Sequence, residues 1–197
     1  MKLSKKQIWV SVAAFVMVGI IAGIIIYILT REIRETITRT NISNAPMSKG
    51  NNMNIEHSSK YNQSVRGYRN NNPLNLRISS NNWKGKVPAT ANTDGAFEQF
   101  TTMAYGFRAA LKNLQSYINK YNCTTIQTIV NKWAPASDGN NPTSYADKVS
   151  KTTGIAVTQT ITANDKEKLC KIAYAMAIVE NGSAPVMEDV YAGWNII

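Results

Sequence analysis

Apolar residues recur at helical spacing in four stretches of the second half of the chain, which is typical of amphipathic helices. The predicted helices are Met103 to Tyr121, a segment from the Thr124–Gln127 capping box to Pro135, Pro142 to Thr153, and a segment from Asn164–Glu167 to Gly182. Residues 66–100 are rich in Asn, Gly and Pro, and Asp94-Gly95 fits a hairpin turn. The pattern predicts a mainly helical α+β domain with a small β lobe.

The N-terminal part of the chain has a different pattern. Residues 8–30 are apolar and carry no charge, and a helix of that length would cross the roughly 30 Å hydrocarbon core of a bilayer. We interpret this run as a transmembrane helix behind a basic flank, residues 1–7. A secretory signal is the alternative, but no small-x-small cleavage site follows. Gly19 and Gly23 form a GxxxG pattern that would allow homodimerisation, although glycine is also common in membrane helices.

The segment that follows, residues 31–64, is rich in Asn and Ser and poor in large apolar residues. It offers too little apolar surface to offset the entropy of ordering, so we interpret it as a flexible tether. Residues 65–197 then form one domain of ordinary size. Its two cysteines, Cys123 and Cys170, fit either a disulfide or two small buried apolar side chains.

The net charge of +10 favours a polyanionic partner. A bacterial wall, an anionic lipid surface and nucleic acid all meet that description, and the chain has no recognisable nucleic-acid motif. Nucleic acid is therefore the least favoured partner.

The residue inventory restricts the chemistry to carboxylates. The single histidine, His57, lies in the predicted tether, so the domain lacks the imidazole that Ser–His–Asp and Cys–His hydrolases need. The sequence also lacks His and Cys residues at the spacing of a zinc site, and it lacks a Gly-rich phosphate loop. We therefore expect no metal and no cofactor. Glu180 follows Met176 by four residues and continues the apolar stripe of the last predicted helix. Partial burial there would favour the protonated form that a general acid needs, whereas a solvated Glu in a frayed turn is the alternative.

Six landmarks occur in a fixed order along the second part of the chain. They are RGYRNNNPLNLR from Arg66, WKG from Trp83, DGAFEQF from Asp94, YGFRAALKNLQSY from Tyr105, IVNKWAP from Ile129 and AIVENG from Ala177. From Arg66 to Ala184 this order resembles phage virion domains related to lysozymes and soluble lytic transglycosylases. In the latter, the acid lies in a helix-ending Glu-Ser-Gly that Asn-Pro soon follows. Here the similar Glu180-Asn181-Gly182 comes last and Asn72-Pro73 comes first, which suggests a circularly permuted, lysozyme-like domain whose two ends meet at the site.

The resemblance implies a membrane-anchored, single-pass lytic transglycosylase or muramidase that cleaves the MurNAc–GlcNAc bond of peptidoglycan. Its domain would lie on the wall-facing side of a virion membrane or a host inner membrane, for wall penetration during infection or for lysis. The alternative is a non-catalytic virion or membrane structural protein that binds wall glycan or packs against capsid proteins.

The resemblance also assigns residues to the site. Glu180 would act as acid and base, and Glu98 or Asp94 would be the second carboxylate if the enzyme is a hydrolase. The candidates for binding sugar are Asn72, Asn75, Trp83, Tyr105 and Tyr145. Turn-forming asparagines and core aromatic residues are the alternative interpretation of this set, and Trp133 is predicted to lie in the core.

Overall fold

A computed structural model of the chain describes residues 26, 28–32 and 55–197. The chain divides into two compact units, Met1–Pro46 and Met47–Ile197. The described helices of the second unit are Arg66–Arg69 (α1), Met103–Tyr121 (α2), Ile126–Trp133 (α3), Pro142–Thr153 (α4), Lys166–Asn181 (α5) and Met187–Asn195 (α6). A short 3-10 turn, Ala136–Asp138, follows α3.

The long helices lie where the apolar spacing predicts them. Helices α2 and α4 have the predicted bounds, and left-handed Gly154 and Gly182 end α4 and α5. The caps of α3 and α5 lie one residue later than expected. Thr125 forms the capping box with Thr128, and the Asp165 side chain accepts a hydrogen bond from the backbone N–H of Lys168.

The predicted small β lobe was wrong. Among residues 55–197 the structure has only two isolated antiparallel bridges, Arg77 to Phe97 and Lys86 to Phe100. Asparagine side chains replace a strand ladder there. The Asn72 amide donates to the carbonyls of Leu76 and Glu98, each at 2.9 Å. The segment between α1 and α2 is therefore an irregular loop region whose backbone groups are held by buried amides.

The predicted transmembrane helix lies almost entirely outside the described residues. Within residues 8–30 the structure describes only 26 and 28–30, which are helical with 31 and 32. None of the described helices is both long enough and apolar enough to cross a membrane. The GxxxG pattern of Gly19 and Gly23 lies outside the described residues.

The folded unit begins earlier than residue 65. Tyr61, expected in the tether, is only 6% exposed and belongs to the main core cluster. Its hydroxyl donates to Asp189 Oδ2 at 2.6 Å and accepts from the Val186 N–H at 3.0 Å. Residues 55–64 therefore belong to the domain, because their removal would expose core surface and leave the Val186 N–H without this partner.

The core lies between α2 and α5, and α6 packs along α2. Gly193 allows that close approach, since a Cβ at this position would meet Phe107 Cβ and the Ala104 carbonyl. Arg108 Nε secures the end of α6 by donating to the Ile196 carbonyl at 2.8 Å. Cys123 and Cys170 are buried and unpaired, and burial raises the pKa of the Cys170 thiol to about 12. The two cysteines are therefore small buried apolar side chains and do not form a disulfide.

Candidate functional site

Glu180 lies in the last turn of α5, and its partly exposed carboxyl accepts three side-chain hydrogen bonds. Oε1 accepts from the Tyr145 hydroxyl at 2.9 Å and from the Trp133 indole N–H at 3.1 Å. Oε2 accepts from the Asn75 amide at 3.2 Å. Four separate segments of the domain thus converge on one carboxyl group.

Local structure fixes each donor. Trp133 is the last residue of α3, and Tyr145 lies in the first turns of α4, which Asn141 caps and Pro142 opens. Asn75 has a left-handed backbone (φ 50°), a conformation that asparagine tolerates better than most residues. Burial, and then the neighbouring Glu180, raise the pKa of Tyr145 well above its usual value, so its hydroxyl keeps the proton it donates.

The segment that carries Asn72 and Pro73 lies against the end of α5. The Asn181 amide donates to the Pro73 carbonyl at 2.7 Å and to the Ala177 carbonyl at 2.8 Å. Gly67 leaves room for this contact, because a Cβ there would collide with Asn181 Oδ1 and the Asn72 carbonyl. The segment that carries Asn72 and Pro73 therefore lies beside the end of α5, next to Glu180.

The two candidates for a second carboxylate are engaged elsewhere. Glu98 is fully buried, and its Oε1 accepts from Lys86 Nζ at 2.8 Å and from the Ser79 N–H at 2.9 Å. A buried ion pair of this kind holds the loop and does not present a carboxyl to a ligand. The structure thus does not support the assignment of Glu98 as a catalytic carboxylate.

Asp94 is the centre of a tight turn. Its Oδ1 accepts from the N–H of Phe97 at 3.1 Å, and its Oδ2 accepts from the Asn70 amide at 2.8 Å. Burial by itself would raise the pKa of Asp94, but these hydrogen bonds and the nearby Arg66 outweigh it and lower the pKa below 3.8. Asp94 therefore stabilises the loop as a charged acceptor, and it forms no hydrogen bond with Glu180 among the described residues.

The structure separates the predicted sugar-binding residues into two groups. Asn75 and Tyr145 touch Glu180 directly. Asn72 is fully buried as a donor to backbone carbonyls, so the structural interpretation of this residue is correct. Trp83 and Tyr105 are half-buried and pack against the small apolar cluster around Phe100, and neither forms a hydrogen bond with Glu180 among the described residues.

Trp133 is the site residue that the sequence analysis missed. Its ring packs against both apolar clusters, as a core residue would, but its N–H points to Glu180. A partly buried indole needs an acceptor for its N–H, and this requirement could have indicated that Trp133 belongs to the site.

The Asn75 side chain carries an oxygen that lacks a partner. Asn75 Oδ1 is buried and accepts no hydrogen bond from the part of the chain that the structure describes. Buried polar atoms are nearly always satisfied, so this oxygen would be stabilised by an additional N–H donor or a water. The site therefore combines a carboxyl of fixed orientation with a buried acceptor that has no partner among the described residues.

The chain matches no protein-family model. Comparison with curated proteins places the chain among phage proteins, which confirms the predicted phage relationship. Over 131 residues it is 37% identical to Protein P5 of Pseudoalteromonas phage PM2. The aligned region covers 65% of this chain and 78% of that protein. The chain belongs to the family of this phage protein.

Proposed function

We propose that this protein degrades peptidoglycan, with Glu180 as the acid and base that cleaves the MurNAc–GlcNAc bond. The observation that carries the proposal is the Glu180 carboxyl, partly exposed and held by Asn75, Trp133 and Tyr145. Glycoside cleavage is the large reaction class that runs on carboxylates alone. The likeness of the sequence motifs to lysozymes and soluble lytic transglycosylases points to the same chemistry.

A single carboxylate favours the transglycosylase route over hydrolysis. The Glu180 carboxylic acid gives its proton to the glycosidic oxygen while the bond from that oxygen to C1 of MurNAc breaks. The resulting carboxylate then takes the proton of the MurNAc 6-hydroxyl as that oxygen attacks C1, which gives a 1,6-anhydro product and regenerates the acid. Asp94 and Glu98, the two candidates for a second carboxylate that would guide water, instead have structural partners.

The surroundings of Glu180 suit an N-acetylated sugar. Asn75 Oδ1 is a buried acceptor without a partner among the described residues, and an acetamido N–H is a donor that would satisfy it. The net charge of +10 would bring the protein to an anionic wall. We propose a role in opening the wall during phage infection or lysis, with the domain on the wall-facing side.

The alternative is a non-catalytic virion protein that binds wall glycan or packs against capsid proteins. Its support is that both oxygens of Glu180 already accept hydrogen bonds, a network that would also serve to lock α3, α4 and α5 together. This alternative predicts a folded protein that releases nothing from peptidoglycan.

The test is release of glycan fragments from purified peptidoglycan by the full-length chain, native against Glu180→Gln, with mass analysis of the products. We expect anhydro-muropeptides from the native protein and a loss of rate of about 10²–10⁴-fold in the variant. Glu188→Gln, an exposed carboxylate on α6, is the matched control and should retain activity.

Other outcomes distinguish the alternatives. Products with reducing ends would identify a hydrolase and a second carboxylate elsewhere. Undiminished release by Glu180→Gln would refute the site. No release by a native protein shown to be folded would favour the non-catalytic role.

A further inference from the structure

Three aromatic rings form a continuous row that begins at Glu180. The Trp133 indole donates to Glu180 Oε1 at 3.1 Å, and its ring centroid is 6.2 Å from that of Tyr117. The Tyr117 centroid is in turn 6.2 Å from that of Tyr121, edge to face. We call Trp133, Tyr117 and Tyr121 the aromatic track.

The track runs from partly buried to exposed. Trp133 and Tyr117 are half-buried, whereas Tyr121 at the end of α2 is 57% exposed. Tyr117 and Tyr121 are one helical turn apart on α2, so the helix sets their order. Packing explains the inner end of this row, but it does not explain an aromatic residue that remains mostly in water at the outer end.

A cation lies on the outer part of the track. Lys132 Nζ is 3.6 Å from the centroid of the Tyr121 ring and 5.4 Å from that of Tyr117. Lys120, the exposed neighbour of Tyr121, adds a second positive charge to this end of α2. A ligand that fits this surface presents apolar sugar faces to the rings and carboxylates to the lysines.

We propose that the aromatic track is an extended subsite for the peptidoglycan glycan strand, on one side of the bond next to Glu180. The rings contact successive sugars, and Lys132 pairs with a carboxylate of the lactyl group or the stem peptide. This inference rests on the proposed function, because Trp133 joins the track to the carboxyl that would cleave the strand. If the aromatic track is such a subsite, we expect the protein to prefer long glycan strands that carry stem peptides over short strands or strands without peptides.

The first test measures binding of a chitin hexasaccharide to the full-length chain by calorimetry. Tyr121→Ala should weaken binding about fivefold, the loss expected for one exposed aromatic contact. Ile78→Ala, which truncates another exposed apolar side chain outside the track, should bind like the native protein. The thermal midpoint of Tyr121→Ala should remain close to native, because the side chain is mostly exposed.

The second test separates the role of the charge. Lys132→Gln should reduce the rate of release from peptide-bearing peptidoglycan by about threefold or more at low salt, with a smaller effect at high salt. The same variant should bind the chitin hexasaccharide, which has no carboxylate, with nearly native affinity. Lys151→Gln, an exposed lysine on α4, is the matched control.

The failures of the two proposals can be distinguished. Native affinity of Tyr121→Ala for the hexasaccharide would overturn the track while leaving Glu180 untouched. Weakened binding in a protein that cleaves nothing would retain the track and overturn the enzyme. A folded native protein that neither binds nor cleaves any glycan would overturn both.

Discussion

The hydroxyl of Tyr145 offers a sharp test of how Glu180 is held. Tyr145→Phe keeps the ring and removes only the donor that lies 2.9 Å from Glu180 Oε1. No cavity forms in the core, since the phenyl ring fills the same space. The change therefore removes this hydrogen bond to a partly buried carboxyl, together with a longer one of 3.5 Å to the Met176 carbonyl.

The magnitude follows from the remaining contacts. A side-chain hydrogen bond contributes about 0.5–3 kcal/mol according to the charge of its partners, but Trp133 and Asn75 would still donate to Glu180 after the change. We therefore expect a free energy of unfolding lower by about 1–2 kcal/mol. The same loss of orientation at the carboxyl should slow glycan release about tenfold, equivalent to roughly 1.4 kcal/mol in the barrier.

Tyr61→Phe is the matched control for this measurement. It also removes a tyrosine hydroxyl that donates to a carboxylate, at 2.6 Å to Asp189, but it lies in contact with α6. Urea unfolding should show both variants destabilised, with Tyr61→Phe the more affected because the Val186 N–H also loses its acceptor. Only Tyr145→Phe should slow glycan release. Equal losses of activity in the two variants would refute the reasoning, because they would show an effect of stability alone.

Two further predictions concern the scaffold. Gly193→Ala should lower the free energy of unfolding by about 3 kcal/mol, because the new methyl group overlaps Phe107 and the Ala104 carbonyl. Gly182→Ala, at φ 70° but with open space around it, should lower it by only about 1 kcal/mol, and a urea titration that reverses this order would contradict the packing of α6 on α2. The pKa of Asp94 is lower in the folded state than in the unfolded state, where it is near 3.8. The ionised side chain therefore stabilises the fold at pH values above 3.8, and this stabilisation is lost as the pH falls through the pKa of the folded state. Asp94→Asn should therefore be less stable than the native protein at pH 7, and the difference should shrink below about pH 4; a difference that is constant with pH would show that the charge does not matter.

Helices α2 to α5 could be predicted from the sequence because their signals are local, whereas the short helices α1 and α6 were not predicted. Apolar spacing, Pro142 at the start of α4, and glycines after α4 and α5 set the bounds within a residue or two. Local signals could not predict whether residues 66–100 form a β lobe. Short apolar pieces between turns fit strands and irregular loops equally well, and buried asparagine amides decided between them.

Part of the site was also within reach of the sequence. Glu180 continued an apolar stripe into a glycine stop, and motif order placed it near Asn72 and Pro73, where the structure has Asn181 bonded to the Pro73 carbonyl. Trp133 could not be assigned to the site from its position. A tryptophan on an apolar stripe is usually core, and the acceptor of its N–H lies 47 residues away along the chain.

The sequence by itself determined helices α2 to α5, their caps to within one residue and the carboxyl that ends α5, because neighbouring residues specify these features. Only the tertiary structure decided which side chains surround Glu180, and that Asp94 and Glu98 have other partners. It also decided that Tyr61 belongs to the core. The physical reason is that these contacts join residues far apart in the chain, and their geometry is set by the packing of the helices and by the need of each buried polar atom for a partner.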